Sequence, residues 1–340
     1  MTVETQLDPQ QRLEAKNAFD GSLVFGTGHF NRRTGRDQHI DRRKRIRDYW
    51  VDADTGALRP ELTESRDCPC CGGRERRELF VKEGFPHVEC ADCSLVYVAP
   101  VLREEALVEY YAEEESWTEV LFNEDQVELD RRKFEYGLDA LAARVAPSRL
   151  LDVGCGPGFF LDAARQRGWE VEGMEVNERC VERLRGQGIP VCTDPLEHSS
   201  LAQGSYGAVA MWEVLEHLRD PVGALCEARR LLADGGVLLI CVPNFGSLVN
   251  RIMHENAGTF AGYSHINFFV ADTLVKMQQD TGFEVAGIET VITELGTIQN
   301  WLSFADPYLG SADAVLPLLT PEYIHDHLLG SRLLTVATAR

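Results

Sequence analysis

The sequence predicts a doubly wound α/β domain, a mainly parallel sheet with helices on both faces, preceded by a small N-terminal zinc-ribbon domain. Three observations lead there. From Arg149 onward, apolar strand-like runs alternate with helical stretches, the pattern of parallel strands joined by helical crossovers. A glycine-rich turn, Gly154-Cys-Gly156-Pro-Gly158, closes the first of those runs. Upstream, two Cys-x2-Cys pairs stand eighteen residues apart.

Residues 1–65 read as a basic N-terminal extension. Between Arg32 and Arg47 eight basic residues face only Asp37 and Asp41, a net +6 in a chain whose total is −20, so the remainder carries −26. The plain reading is a solvated basic helix face docked on the acidic body or on a second subunit in a homodimer. The sharper reading is an anion clamp for a phosphorylated substrate, because arginine forks match phosphate oxygens.

Residues 66–102 carry Cys68-Pro-Cys-Cys71-Gly-Gly and Cys90-Ala-Asp-Cys93, with β-prone residues between them. Each pair can turn both sulfurs toward one ion, so Cys68, Cys71, Cys90 and Cys93 are the expected zinc ligands. Cys70 is the alternative ligand if the first knuckle shifts register. Four thiolates leave no open coordination position, so the ion would be structural. Residues 103–147 are acidic and helical in pattern, with Tyr110, Tyr111, Trp117, Phe122 and Phe134 as apolar anchors, and read as a helical linker.

Within 148–340, strands are expected over 149–153, 171–176, 191–193, 206–212 and 237–242. Helices are expected over 159–166 and 178–185. A further helix opens at Asp220-Pro221, an N-cap followed by a first-turn proline, and closes before Asp234-Gly235-Gly236. Ligands of such a fold bind beyond the carboxyl ends of the strands.

Composition narrows the function classes. A chain of 340 residues, 44% hydrophobic and 26% charged, can bury a sizeable core. The −20 charge opposes general binding to a phosphate backbone. No run approaches the roughly 18–20 apolar residues of a membrane span, and MTVETQLDPQ lacks a signal-peptide pattern, so a soluble cytoplasmic protein is expected. The ten cysteines then call for metal, catalytic or core explanations. Phe159 stands where the dinucleotide fingerprint needs a small residue, which argues against a dehydrogenase.

The run Leu150-Leu-Asp152-Val-Gly154-Cys155-Gly156-Pro-Gly158 resembles motif I of the class I S-adenosylmethionine-dependent methyltransferases. The resemblance continues through Gly173-Met-Glu175-Val176, Thr193-Asp194-Pro195, Tyr206 to Pro221, Leu231 to Asn244, Gly282-Phe-Glu-Val and 330–339. It implies a seven-stranded Rossmann-like methyltransferase sheet whose last strand is antiparallel. It also implies S-adenosylmethionine held by Asp152, Gly154, Cys155, Gly156, Gly158, Glu175, Val176, Asp194, Pro195 and Trp212. In the family, the residue at Glu175 bonds the ribose hydroxyls and the Asp at 194 contacts the adenine amine.

Two relatives bear on the acceptor. Zinc-ribbon C-methyltransferases of deoxysugar nucleotides are similar in their four cysteines, in a His at position 217 and in a His before an aromatic pair like that at His265. The second His is their base, which implies that role for His265, assisted by His217. The chain departs from them at Gly262, where that group commonly has a tyrosine. Glu213-Val-Leu-Glu216-His217 with His265 resembles instead the E-x-x-E-H element of ubiquinone-pathway and small-RNA 2′-O-methyltransferases, where such side chains can hold Mg²⁺, Mn²⁺ or Zn²⁺ beside the acceptor oxygen.

The resemblance thus implies methyl transfer to carbon or oxygen of a small metabolite, in secondary-metabolite or sugar biosynthesis. An RNA-modifying protein that docks through the ribbon and the basic segment is the alternative. Residues 292–329 form an aromatic-rich insertion before the last strand, a candidate substrate lid or dimer contact. His325 and His327 diverge on a predicted helix and are not a metal pair.

Overall fold

In the computed structural model, residues 2–18, 49–107, 119–305 and 319–340 are described. The chain opens with α1 (Pro9–Ala18) and five strands, β1 (Thr63–Glu64), β2 (Arg76–Lys82), β3 (Phe85–Cys90), β4 (Val96–Val98) and β5 (Val101–Leu102). After α2 (Glu124–Ala142) come β6 (Arg149–Val153), α3 (Phe159–Gln166), β7 (Glu170–Met174), α4 (Glu178–Gly186), β8 (Val191–Cys192), β9 (Tyr206–Trp212), α5 (Pro221–Leu231) and β10 (Leu232–Pro243). The chain closes with α6 (Leu248–Met253), β11 (Asn267–Phe268), α7 (Ala271–Asp280), β12 (Phe283–Val291), α8 (Leu295–Ala305), α9 (Pro321–Asp326) and β13 (Arg332–Ala339).

Seven strands pair in the order β12-β13-β10-β9-β6-β7-β8, parallel except for β13, which runs antiparallel to both neighbours. The order reverses between β6 and β9, so a ligand crevice opens beyond the carboxyl ends of those strands. Both faces are covered, which is why the central strands are near-continuous apolar runs. Leu151, Val209, Leu238 and Ile240 pack on one side with α5 and α7. Leu150, Ala208, Ala210 and Leu239 pack on the other with α2 and α3.

Most boundaries fall within a residue of expectation, and the larger differences are at the second and fifth strands. The second strand ends at Met174, because Glu175 already turns its carboxylate onto main-chain amides. The fifth begins at Leu232, and a register shift between Leu232 and Val237 absorbs Asp234-Gly235-Gly236.

The Cys-rich region does not stand as a separate unit. Its sheet has the order β11-β4-β3-β2, so residues 267–268 of the main domain supply its edge strand. Tyr97, Val88 and Cys90 join the core on the α5/α7 side, while Phe85, Val96 and Val98 join Phe260, Tyr263 and Phe268. The 103–147 segment is likewise more than a linker, since α2 lies on the opposite face, where Gly137 abuts the Trp212 ring.

The helix α1 is pinned to the far edge by Arg12 and Lys16, which reach Glu289 of β12 at 2.7 and 2.6 Å, and the Tyr136 hydroxyl donates to the same carboxylate at 2.6 Å. No helix among the described residues is long and apolar enough to cross a membrane.

Candidate active site

The glycine turn leaves β6 at the carboxyl edge and becomes the start of α3. Gly154 and Gly158 have φ of 67° and 82°, in the left-handed region that glycine enters without strain. A side chain would also strike Val214 at the first and Leu184 at the second. Just past the end of β7, Glu175 reaches across: its carboxylate accepts from the amides of Gly156, Val176 and Asn177, each at 2.8 Å. Val176 beside it is 72% exposed, and Asp194 and Pro195 lie exposed after β8.

The glycine turn, Glu175 and the segment after β8 all lie at the carboxyl ends of β6, β7 and β8. An ionised carboxylate accepts about four hydrogen bonds, so Glu175 retains capacity for a ribose hydroxyl. Cys155 and Asp152 are buried, and Asp152 is 1% exposed with Oδ1 unpartnered. Burial and the nearby Glu175 charge push its carboxyl well above the usual range.

Trp212, expected at the cofactor, is 8% exposed, with Phe134 and Phe160 meeting its ring at 5.1 and 5.3 Å. Those edge-to-face contacts give it a packing place at the end of β9.

A second constellation lies beyond β9. The donor atoms of Glu216, His217 and His265 all fall within 4.8 Å of one another. Each imidazole is oriented from behind. His217 Nδ1 lies 2.8 Å from the Ser264 carbonyl, and His265 Nδ1 lies 2.8 Å from the Thr259 carbonyl. A carbonyl only accepts, so both Nδ1 atoms carry protons and both Nε2 atoms present lone pairs.

Glu216 is 1% exposed, neither carboxylate oxygen has a hydrogen-bond partner among the described residues, and His217 Nε2 lies 3.8 Å away. Burial and Glu213 push its carboxyl up to about 8, and burial together with His217 pushes His265 down to about 3. A buried carboxylate without donors is costly. Facing two imidazole lone pairs, it has the composition of a two-histidine, one-carboxylate cation site. The backing carbonyls are the outer contacts such ligands use.

Glu213 does not join this set. Its backbone has φ 54°, and its side chain turns to accept from Lys133 Nζ and Arg332 Nε, both at 3.1 Å. Against the opposing effect of burial, those two cations hold its carboxyl well below the usual range. Sequence reasoning singled out neither cation. The signal present was a charge inside otherwise apolar surroundings, Arg332 opening the buried run of β13.

In the Cys-rich region the Sγ atoms of Cys68, Cys71, Cys90 and Cys93 also lie within 4.8 Å of one another, whereas Cys70 stays outside the set. The Cys68–Cys93 and Cys71–Cys90 sulfurs are 3.5 Å apart, near the ~3.8 Å edge of a tetrahedron with metal–sulfur bonds of about 2.3 Å. Gly262 is explained by the same region, because a Cβ there would lie 2.5 Å from Phe85 Cβ.

The basic segment 32–47, Tyr110, Tyr111, Trp117 and the middle of the insertion, 306–318, lie outside the described residues. At the described ends of the insertion, Glu294 lies 3.7 Å from Arg332, and the Leu328 carbonyl accepts from Asn244. His325 is buried with Nδ1 on the Thr290 hydroxyl, while His327 bonds the Tyr323 carbonyl.

Residues 126–287 match the family described as Methyltransferase domain. An uncharacterized 37.1 kDa protein in transposon TN4556 of Streptomyces fradiae is 30% identical over 56% of this chain and 60% of its own length. The ubiquinone biosynthesis O-methyltransferase of Methylococcus capsulatus is 26% identical over 47% of this chain and 72% of its own. Across the four first-ranked curated relatives, the matches span 47 to 72% of the relative's length. A solved S-adenosylmethionine-dependent methyltransferase of Thermotoga maritima, described as a possible histamine N-methyltransferase, aligns at 19% identity over 66% of this chain and 98% of its own, with a TM-score of 0.47.

Proposed function

We infer that this chain, whose residues 126–287 match the methyltransferase domain family, is a class I S-adenosylmethionine-dependent enzyme that methylates a hydroxyl oxygen of a small molecule at the Glu216–His217–His265 cluster. The observation that carries this reading is the buried, unpartnered Glu216 carboxylate facing two oriented imidazoles. Two nitrogens and one carboxylate suit Mn²⁺, Zn²⁺ or Fe²⁺ better than Mg²⁺, which prefers oxygen ligands. When bound, such an ion lowers the pKa of a coordinated hydroxyl. The named O-methyltransferase relative supports oxygen as the acceptor atom.

In this reading Glu175 holds the ribose of S-adenosylmethionine, Asp194 meets the adenine amine, and Val176 flanks the base. The turn from Gly154 to Gly158 gives the amino-acid end room. With Nε2 of His217 and of His265 on the ion, the two rings would fix where the acceptor oxygen sits in line with the sulfonium methyl, and much of the rate comes from that alignment. Cys68, Cys71, Cys90 and Cys93 hold a structural zinc ion.

A second reading has His265 Nε2 take the acceptor's proton directly, on oxygen or carbon, with no ion. Its unprotonated Nε2 supports this, but an imidazole pushed down to about 3 is a weak base at neutral pH.

The test is transfer of tritiated methyl to a panel of phenols, catechols and deoxysugar nucleotides, before and after chelation and with Mn²⁺ restored. Ether products that depend on the ion and vanish in Glu216→Gln are expected. Undiminished transfer after chelation and in Glu216→Gln would overturn the metal-assisted reading.

A further inference from the structure

We propose that Asn267 is the positioning residue that sets the spacing of Glu216 and His217 against His265, and that Arg66 of the Cys-rich region holds it in place. The inference rests on the cluster assigned above, but its geometry is independent of any bound ion. Asn267 is 1% exposed, and every polar atom of its carboxamide is used. Nδ2 donates to the carbonyls of Leu215 at 3.1 Å and Leu218 at 2.7 Å, the two residues that flank Glu216-His217. The amides of Ile266 and Asn267 both donate to the Glu216 carbonyl, at 2.9 and 3.1 Å. Four hydrogen bonds therefore tie the 215–218 turn to the two residues that follow His265.

The other end of the carboxamide leads out of the main domain. Oδ1 accepts from Arg66 Nη2 at 3.1 Å, and the same nitrogen donates to the Arg219 carbonyl at 3.1 Å. The Arg66 guanidinium lies 5.7 Å from the Tyr97 ring, and Tyr97 is the residue opposite Asn267 in the β4–β11 pair. That pair is continued by Val98, whose amide donates to the Ile266 carbonyl at 3.0 Å. Arg66 precedes Cys68 by two residues, and the Cys90 amide bonds the Leu95 carbonyl just before β4. The thiolate module is thus built into the backing of the cluster from two directions.

The experiment uses the full-length, zinc-loaded protein with ¹⁵N-labelled histidine. Three quantities are compared between wild type, Asn267→Ala and Arg66→Ala: the downfield imidazole Nδ1–H resonances, Mn²⁺ affinity by electron paramagnetic resonance, and S-adenosylmethionine affinity by calorimetry. Expected are loss or marked broadening of the His217 resonance in Asn267→Ala and a fall in Mn²⁺ affinity of about 10- to 100-fold, the usual effect of removing an outer-shell contact. Arg66→Ala should move both in the same direction by less, and S-adenosylmethionine affinity should stay within about twofold of wild type, well below the tenfold that 1.4 kcal/mol represents. If Asn267→Ala does not fold, Arg66→Ala alone decides the matter. Unchanged imidazole resonances in the variants overturn the positioning role. Absence of Mn²⁺ binding in the wild type overturns the metal-assisted reading instead, and the imidazole resonances still judge Asn267.

Discussion

The rings of His217 and His265 meet edge to face with centroids 4.9 Å apart, each giving its Nδ1 proton to a main-chain carbonyl, Ser264 for one and Thr259 for the other. Both carbonyls belong to the single loop between α6 and β11, so that loop fixes both tautomers. His217→Ala and His265→Ala should each lower kcat by about 10²-fold or more. S-adenosylmethionine affinity, measured in parallel by calorimetry, should be retained, since neither residue is assigned to the cofactor.

Cofactor affinity should respond to Glu175 instead. Glu175→Ala removes the carboxylate and frees three main-chain amides, so the dissociation constant for S-adenosylmethionine should rise by about 10- to 100-fold, the equivalent of one or two charge-assisted hydrogen bonds. Equilibrium binding checks this without any knowledge of the acceptor.

Glu213 should report as a stability residue. Glu213→Gln leaves Lys133 and Arg332 facing a neutral amide at side-chain exposures of 10% and 21%. A cost of about 2 kcal/mol in urea unfolding is expected, discounted from a fully buried pair because Glu213 is itself partly exposed. Its folded pKa is depressed, so its contribution is present above the ordinary value near 4.5 and is lost as pH falls below that toward the depressed value. The wild type should therefore lose on acidification a component of stability that Glu213→Gln lacks.

At the opposite edge, Glu289 holds Arg12, Lys16 and Tyr136. Glu289→Ala should cost about 3 kcal/mol by leaving two cations unpaired near the sheet, and Tyr136→Phe about 1.5 kcal/mol by removing one bond to a charged group. Denaturant titrations of the two variants should preserve that order.

Metal analysis of the purified chain should find zinc, and Cys90→Ser should abolish it together with a clear fall in melting temperature. Cys70→Ser should retain the ion, because Cys70 lies outside the four-sulfur set.

The parallel sheet was legible because strands buried on both faces must be apolar throughout, as Val209 to Met211 and Leu238 to Val242 are. The glycine turn was legible because its backbone needs φ values that other residues avoid. Spacing alone misgrouped Glu213 with Glu216, since both precede His217 within one short motif. Their side chains part because Glu213 meets Lys133 and Arg332, which are 80 and 119 residues away in the chain. The packing of Trp212 against Phe134 of α2 was likewise not legible, since the two are far apart in the chain.

By itself, then, the sequence determined the periodic and local features: the alternation that makes the sheet, the turn that opens the crevice, and the cysteine pairs that can close on one ion. Only the tertiary structure decided which titratable groups meet. It did so because the cluster is assembled by contacts between distant segments, Glu216 with the 259–267 loop and that loop with β4, and no local pattern encodes the direction in which those side chains point.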